Sequence, residues 1–385
     1  MSFLRAARAA LAGENSISRI CAIAISCVLV VPFISCGSST KSTAPNHSAY
    51  VTMPDIGSVL LLLINGTNGE ITTETQTPQV QGLSPTGIAL LPSKKFLYAA
   101  NSQANTISIY SVNADATLTL IGTPTPAGSG PNVEVIDPTG KYLLVTNNFS
   151  NDISVFQIDS GTGALTPVGS PVPANENPTD IKFTHSGQFV YVTNPGIGMV
   201  TGFSFVNGVL TQLNTSPVFS GQGAAALVVD GSDRFLYVAN PSASNPPPNA
   251  LTVGNISGFT IGADGTLTKI SGSPFAAAEG SGPSAITISP NGQFVYAVTP
   301  GSSFAIWGFS ITSTDGHLVA LTNSPFSLAA GGLFALFDPT GNFLYVGSNT
   351  GINAYSYNQS TGAPTAVVGS PFATGTAPGK MVIAP

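Results

Sequence analysis

The chain has 385 residues, of which 43% are hydrophobic and only 7% charged, and its formal net charge is −6. An acidic chain without a Lys/Arg cluster is a poor partner for nucleic acid or an anionic membrane surface, and apolar residues this frequent in short alternating runs exclude intrinsic disorder. With 42 Gly and 30 Pro, the composition suits many short strands joined by tight turns.

Residues 1–36 read as an export signal. Arg5, Arg8 and Arg19 precede an apolar run from Ile20 to Ile34, interrupted by Pro32. That run is shorter than the roughly 20 residues that span a bilayer, which favours a cleaved signal over a membrane anchor. Cys21, Cys27 and Cys36 are the only cysteines, so the folded part has no disulfide framework, Cys-ligated metal or Cys nucleophile. Cys36 follows Phe33-Ile34-Ser35 and precedes Gly37, an arrangement that resembles a bacterial lipobox with Phe33 in the usual Leu place. The resemblance implies that Cys36 is lipidated and that the protein is held at the cell envelope, facing the periplasm or exterior. Residues 37–48 read as a flexible linker and 49–385 as one folded domain.

A unit of about 46 residues then repeats. Its anchor is an aromatic-aliphatic strand: Tyr98–Asn101, Leu144–Asn147, Tyr191–Asn194, Tyr237–Asn240, Tyr296–Thr299 and Tyr345–Ser348, at spacings of 46, 47, 46, 59 and 49. A preceding strand begins near Pro85, Pro131, Pro178, Ala224, Pro283 and Gly332, and turns such as Asp137-Pro138-Thr139-Gly140 connect the two. Pro presets the first turn residue and Gly accepts positive φ. A third strand follows, then a fourth that ends in Ser-Pro, where Pro removes a donor from an exposed edge. Six units fill residues 85–377. The flanking pieces, 49–82 and 378–383, supply the missing strands of a seventh, so the expected fold is all-β: a seven-bladed β-propeller of four-stranded antiparallel blades, closed by a composite blade from both termini.

The repeat, including Tyr191-Val192-Thr193-Asn194, resembles the YVTN-repeat and lactonase-type (6-phosphogluconolactonase-like) seven-bladed propellers over residues 49–385. The resemblance implies lactone hydrolysis by His, Glu or Arg around the central channel. The face carrying the loops between strands two and three, and from strand four to the next blade, is expected to hold Asp55, Glu74, Glu134, Asn147, Asn148, Asp152, Glu176, Asp180, Glu279 and Lys380. Arg234, His185 and His317 fall in turns elsewhere, and His47 in the linker. A phosphorylated lactone calls for clustered Arg or Lys, and Lys380 is the one cation expected there, which argues against 6-phosphogluconolactonase activity.

Glu134 occupies a position filled elsewhere by Ile88, Ile181, Leu227, Ile286, Ala335 and Met381; burial there would raise its pKa as a general acid or base requires. Glu134, Glu176 and Asp180 are the candidate catalytic carboxylates, and Asn147, Asn148, Asp152 and Lys380 the candidate ligand contacts. Glu134, Asp152, Glu176 and Asp180 lack the spacing of a known cation loop, so no metal or cofactor is expected. Residues 241–255 form the one long insertion, with Pro246-Pro247-Pro248, and read as a stiff spacer in a loop on that face. Trp307 and the other aromatics read as packing between blades. The leading expectation is a monomeric binding scaffold for an unidentified ligand, polymer or protein at the channel face, touching the membrane only through its lipid. The alternative is a hydrolase acting on a neutral lactone through channel-face carboxylates.

Overall fold

The computed structural model describes residues 47–77, 83–241, 254–276, 282–300 and 304–384. Among them are seven small antiparallel sheets around one axis. Their innermost strands are Pro85–Leu90, Pro131–Ile136, Asp180–Phe183, Ala226–Val229, Ala285–Ile288, Gly332–Phe337 and Met381–Ala384. We number the blades 1 to 7 in that order. The expected seven-bladed propeller is therefore the fold.

Blade 7 is composite. The strand His47–Met53 pairs on one side with Ser58–Ile64 and on the other with Met381–Ala384, in the register Ser48↔Ala384 to Val51↔Met381. The Thr52 amide donates to the Lys380 carbonyl (2.9 Å), and Gly379 donates to Thr52 O (2.8 Å). His47, expected in the linker, is a buried member of this strand. It lies 4.0 Å from Asp338 of blade 6.

The repeat motif is a device for joining neighbours. In six blades the hydroxyl of the central tyrosine donates to a carbonyl in the three-to-four turn of the next blade: Tyr50 to Ala116 (2.8 Å), Tyr98 to Gly163 (3.0 Å), Tyr191 to Gly265 (2.7 Å), Tyr237 to Gly316 (2.8 Å), Tyr296 to Gly362 (2.6 Å) and Tyr345 to Gly69 (3.2 Å). In five of these blades the residue two positions earlier is aromatic (Phe96, Phe189, Phe235, Phe294 or Phe343) and packs on that same turn, whereas Tyr50 follows Ser48. Phe235 sits so close to Gly316 that a Cβ there would stand 2.5 Å from its ring, and Gly316 also has φ +76°. Glycine is thus required twice over, by conformation and by space. Blade 2 has Leu144 in the tyrosine position, and at that seam the ring of Tyr142 lies against Gly208 instead.

The outermost strand differs from expectation. In blades 1 to 5 it is two short pieces, such as Val209–Gln212 and Val218–Phe219, both paired with the third strand. The Ser-Pro pair of blades 3 to 6 lies in this edge segment rather than ending it, and its serine hydroxyl accepts a third-strand amide: Gly202 to Ser216 (2.6 Å), Gly258 to Ser273 (2.9 Å), Gly308 to Ser324 (3.0 Å) and Ala354 to Ser370 (3.0 Å). The hydroxyl replaces a backbone acceptor where the strand bends away.

Candidate active site

All seven innermost strands contribute to a central cavity of about 440 Å³, within the range of small-molecule sites. Ile88, Val133, Val228, Ile286, Phe334 and Met381 supply apolar wall from six blades, and blade 3 supplies Asp180 and Lys182. Glu134 and Lys380 also line it. No His or Arg is among the described lining residues.

Asp180 and Lys182 alternate with Ile181 and Phe183 on a short strand, so they share a face. Ile181 and Phe183 pack between blades 2 and 3. Asp180 is buried, and its Oδ1 accepts from Lys182 Nζ (3.0 Å) and from the Ile181 amide (3.0 Å), while Oδ2 accepts from the Leu227 amide of blade 4 (3.0 Å). Lys182 is partly exposed, its side chain at 42%. Lys380 enters from blade 7, held at its backbone by Thr52. Enclosure by the channel lowers the Lys380 pKa; the negative charge of Asp180 acts against that fall and Lys182 adds to it. The two lysines and Asp180 therefore form one electrostatic group, contributed by blades 3 and 7.

Lys182 is the residue that the sequence reading missed. The expectation of a single channel lysine is corrected: there are two. Its signal was present, because the aligned positions hold Ala89, Val135, Val228, Thr287, Leu336 and Val382, and a lysine breaks that slot as Glu134 breaks its own.

Glu134 is 5% exposed, and neither carboxylate oxygen makes a hydrogen bond of normal geometry. It faces blade 1, where a Cβ on Gly87 would stand 2.4 Å from Oε2; the missing side chain at Gly87 makes room for the carboxyl group. Desolvation pushes its pKa well above the ordinary range, with slight relief from the Ala100 peptide. The groups that act on Lys380 are Asp180 and Lys182, and Glu134 is not among them.

The remaining candidates lie away from the cavity. Asn147 is fully buried and donates to Asp152 Oδ1 (2.6 Å) and Ser154 Oγ (2.8 Å), which fixes the turn between the second and third strands of blade 2 and occupies both Asn147 and Asp152 structurally. Asn148 is half-buried, with its amide bound to Gly130 O (2.8 Å). Glu176 and Asp55 are exposed at the surface. Four carboxylates thus do not converge, and among the described residues no group of His, Cys, Asp or Glu is arranged to hold a metal ion. Cys36, Glu279, the Glu74 side chain and most of 241–255 lie outside the described residues. Trp307 packs against the apolar cluster between blades 4 and 5, as expected.

The sequence matches the family described as Lactonase, 7-bladed beta-propeller over residues 49–183 and 254–377. No curated protein matches the chain. Among solved structures it is similar to a Bacteroides uniformis protein provisionally described as a 6-phosphogluconolactonase (TM-score 0.75, 18% identity, 88% of this chain and 99% of that one) and to a Bacteroides fragilis protein described likewise (0.73, 19%, 90% and 99%). It is also similar to the periplasmic gluconolactonase PpgL of Pseudomonas aeruginosa (0.73, 16%, 88% and 99%). At such identities these likenesses establish the fold.

Proposed function

Because this chain belongs to the Lactonase seven-bladed β-propeller family, we propose that it hydrolyses a lactone in its central cavity, with Lys182 and Lys380 as the working pair. The observation that carries this is the convergence of Asp180, Lys182 and Lys380 in a largely apolar channel. The scaffold expectation rested on a channel without His or Arg and with Lys380 as its one cation; the described lining has no His or Arg, but Lys182 supplies a second cation.

Asp180 is fixed by two backbone amides and in turn fixes Lys182. The Lys182 ammonium can face the lactone carbonyl and stabilise the oxyanion as water adds, an interaction strengthened where water is scarce. Burial makes the Lys380 amine available at lower pH than in solution, so it can take the proton of the attacking water. Asp180 then stabilises the new ammonium. When the ring C–O bond breaks, the same proton passes to the leaving alkoxide, and the product is an open hydroxy acid. Desolvation raises the Glu134 pKa and so favours its protonated form, which suits a general acid or hydrogen-bond donor more than a base. The lipobox resemblance at Cys36 supports a place for this activity at the cell envelope.

The test is lactone hydrolysis by the full chain and by K182M at equal melting temperature. Loss of one oxyanion-stabilising donor typically lowers kcat about 10²–10³-fold. No turnover above the spontaneous rate by the wild type would remove the hydrolase reading.

A further inference from the structure

The cavity's hydrogen-bonding groups are unequally divided between donors and acceptors. The Asp180 oxygens already accept three bonds. Asp137, at the far end, accepts from the Thr139, Lys141 and Tyr142 amides (3.1, 2.7 and 2.6 Å) and from the Thr139 hydroxyl. Carbonyls near the start of several innermost strands are taken by a neighbouring blade: Pro131 O by Thr86 (3.2 Å), Thr179 O by Asn132 (3.4 Å), Ala225 O by Thr179 (3.2 Å) and Gly332 O by Ser284 (3.3 Å). What faces the space at this polar spot is cationic: Lys182, already bound to Asp180, and Lys380.

One end of the propeller carries exposed apolar side chains. The innermost strands start at the same end of each blade as the turns between second and third strands, and at that end Phe149 is 74% exposed, Phe219 48% and Phe304 42%. These are the exposed phenylalanines among the described residues.

We infer that the substrate is a lactone whose ring or side chain is alkyl, lacking the hydroxyls of a sugar lactone. The inference rests on the hydrolase reading and specifies its substrate class. A lactone group offers two acceptor oxygens and no donor, which matches the two lysines. A sugar lactone carries a hydroxyl on most ring carbons, each needing an acceptor, and a buried polar group left without one costs about 1–3 kcal/mol. The apolar wall, supplied by six blades, favours a hydrocarbon body over a polyol.

The experiment compares an alkyl δ-lactone such as δ-decalactone with glucono-1,5-lactone under the full chain, by pH-stat titration corrected for spontaneous opening. In parallel, the shift in melting temperature is recorded with the two corresponding lactams, which resist hydrolysis. A kcat/KM at least tenfold higher for the alkyl lactone, with stabilisation by the alkyl lactam alone, is expected. Equal or faster opening of gluconolactone overturns the substrate class and leaves the hydrolase reading standing. If neither lactone opens, the hydrolase reading falls; stabilisation by the alkyl lactam alone then still supports the alkyl selectivity of the cavity, and its absence overturns both.

Discussion

Replacing Tyr237 by Phe removes one hydroxyl and keeps the ring. In the structure that hydroxyl donates to Gly316 O at 2.8 Å, joining blade 4 to the next across 79 residues of sequence, and Tyr237 is wholly buried. Phe retains the contacts of the ring with Phe235 and the cluster around Ile256, so the change isolates the bond. An ordinary hydrogen bond contributes about 0.5–1.5 kcal/mol net, and leaving a buried acceptor unsatisfied raises the loss toward about 1–3 kcal/mol. About 1–2 kcal/mol is therefore expected, which lowers Tm by about 2–4 °C per kcal/mol in a domain of 150–250 residues and somewhat less in a larger one. Differential scanning calorimetry and urea unfolding of Y98F, Y191F, Y237F and Y296F would measure the series. Variants that melt with the wild type would refute the view that the repeated tyrosine joins blades by its hydroxyl and would leave the ring alone as the reason for the motif.

Truncation after Ala377 removes Met381–Ala384, whose partner is His47–Met53, and the bonds between Thr52 and residues 379 and 380. At about 0.5–1.5 kcal/mol per bond and about 1.5–3 kcal/mol for burying Met381, the loss approaches the roughly 5–15 kcal/mol stability of a domain; circular dichroism should show the shortened chain largely unfolded, and a cooperative melt near the wild-type temperature would contradict closure by this strand. Glu134 has a raised pKa in the folded state, so its contribution is whole below the ordinary carboxylate value and is lost as pH rises above it. E134Q should accordingly be more stable than the wild type at pH 8, with the gap closing toward pH 4, and a gap independent of pH would contradict the buried, unpartnered carboxyl. If Cys36 carries a lipid, the full-length precursor should partition with membranes and C36S should stay unprocessed; identical fractionation and N-termini would count against the lipobox.

Much of the fold was legible because one unit recurs. Tyr98, Tyr191, Tyr237, Tyr296 and Tyr345 stand at nearly constant spacing, and each copy corrects the reading of the others. The composite blade followed from two incomplete ends that complement each other. What the repeat means physically was not legible: that the tyrosine bonds to the next blade's turn, and that the phenylalanine two residues earlier selects Gly69, Gly163 or Gly316 there, involves partners 65 to 276 residues apart. The Ser-Pro segment was read as a strand end because a proline stops pairing, whereas the serine beside it supplies an acceptor that sequence spacing does not announce.

The site was read in part. Glu134, Asp180 and Lys380 were picked out, and all three line the cavity. Lys182 stands one residue along from the slot shared by Glu134 and Ile181, and its mark in the sequence is the alternation Asp180, Lys182 against Ile181, Phe183, a charged face on a strand. Asn147 and Asp152 are polar residues at the channel end of blade 2, yet a polar residue at the end of an inner strand also serves to cap the turn beside it, and here Asn147 bonds to Asp152 and Ser154. Composition alone cannot separate those two uses.

The most direct measurement is the pH dependence of kcat/KM for δ-decalactone hydrolysis by the wild type and by K380M. A wild-type rate that rises through a pKa below the usual lysine value, and a K380M variant that loses both that rise and at least a hundredfold in rate while melting normally, is the result predicted for Lys380 as the proton acceptor. Equal rates and superimposable profiles for the two proteins would contradict it.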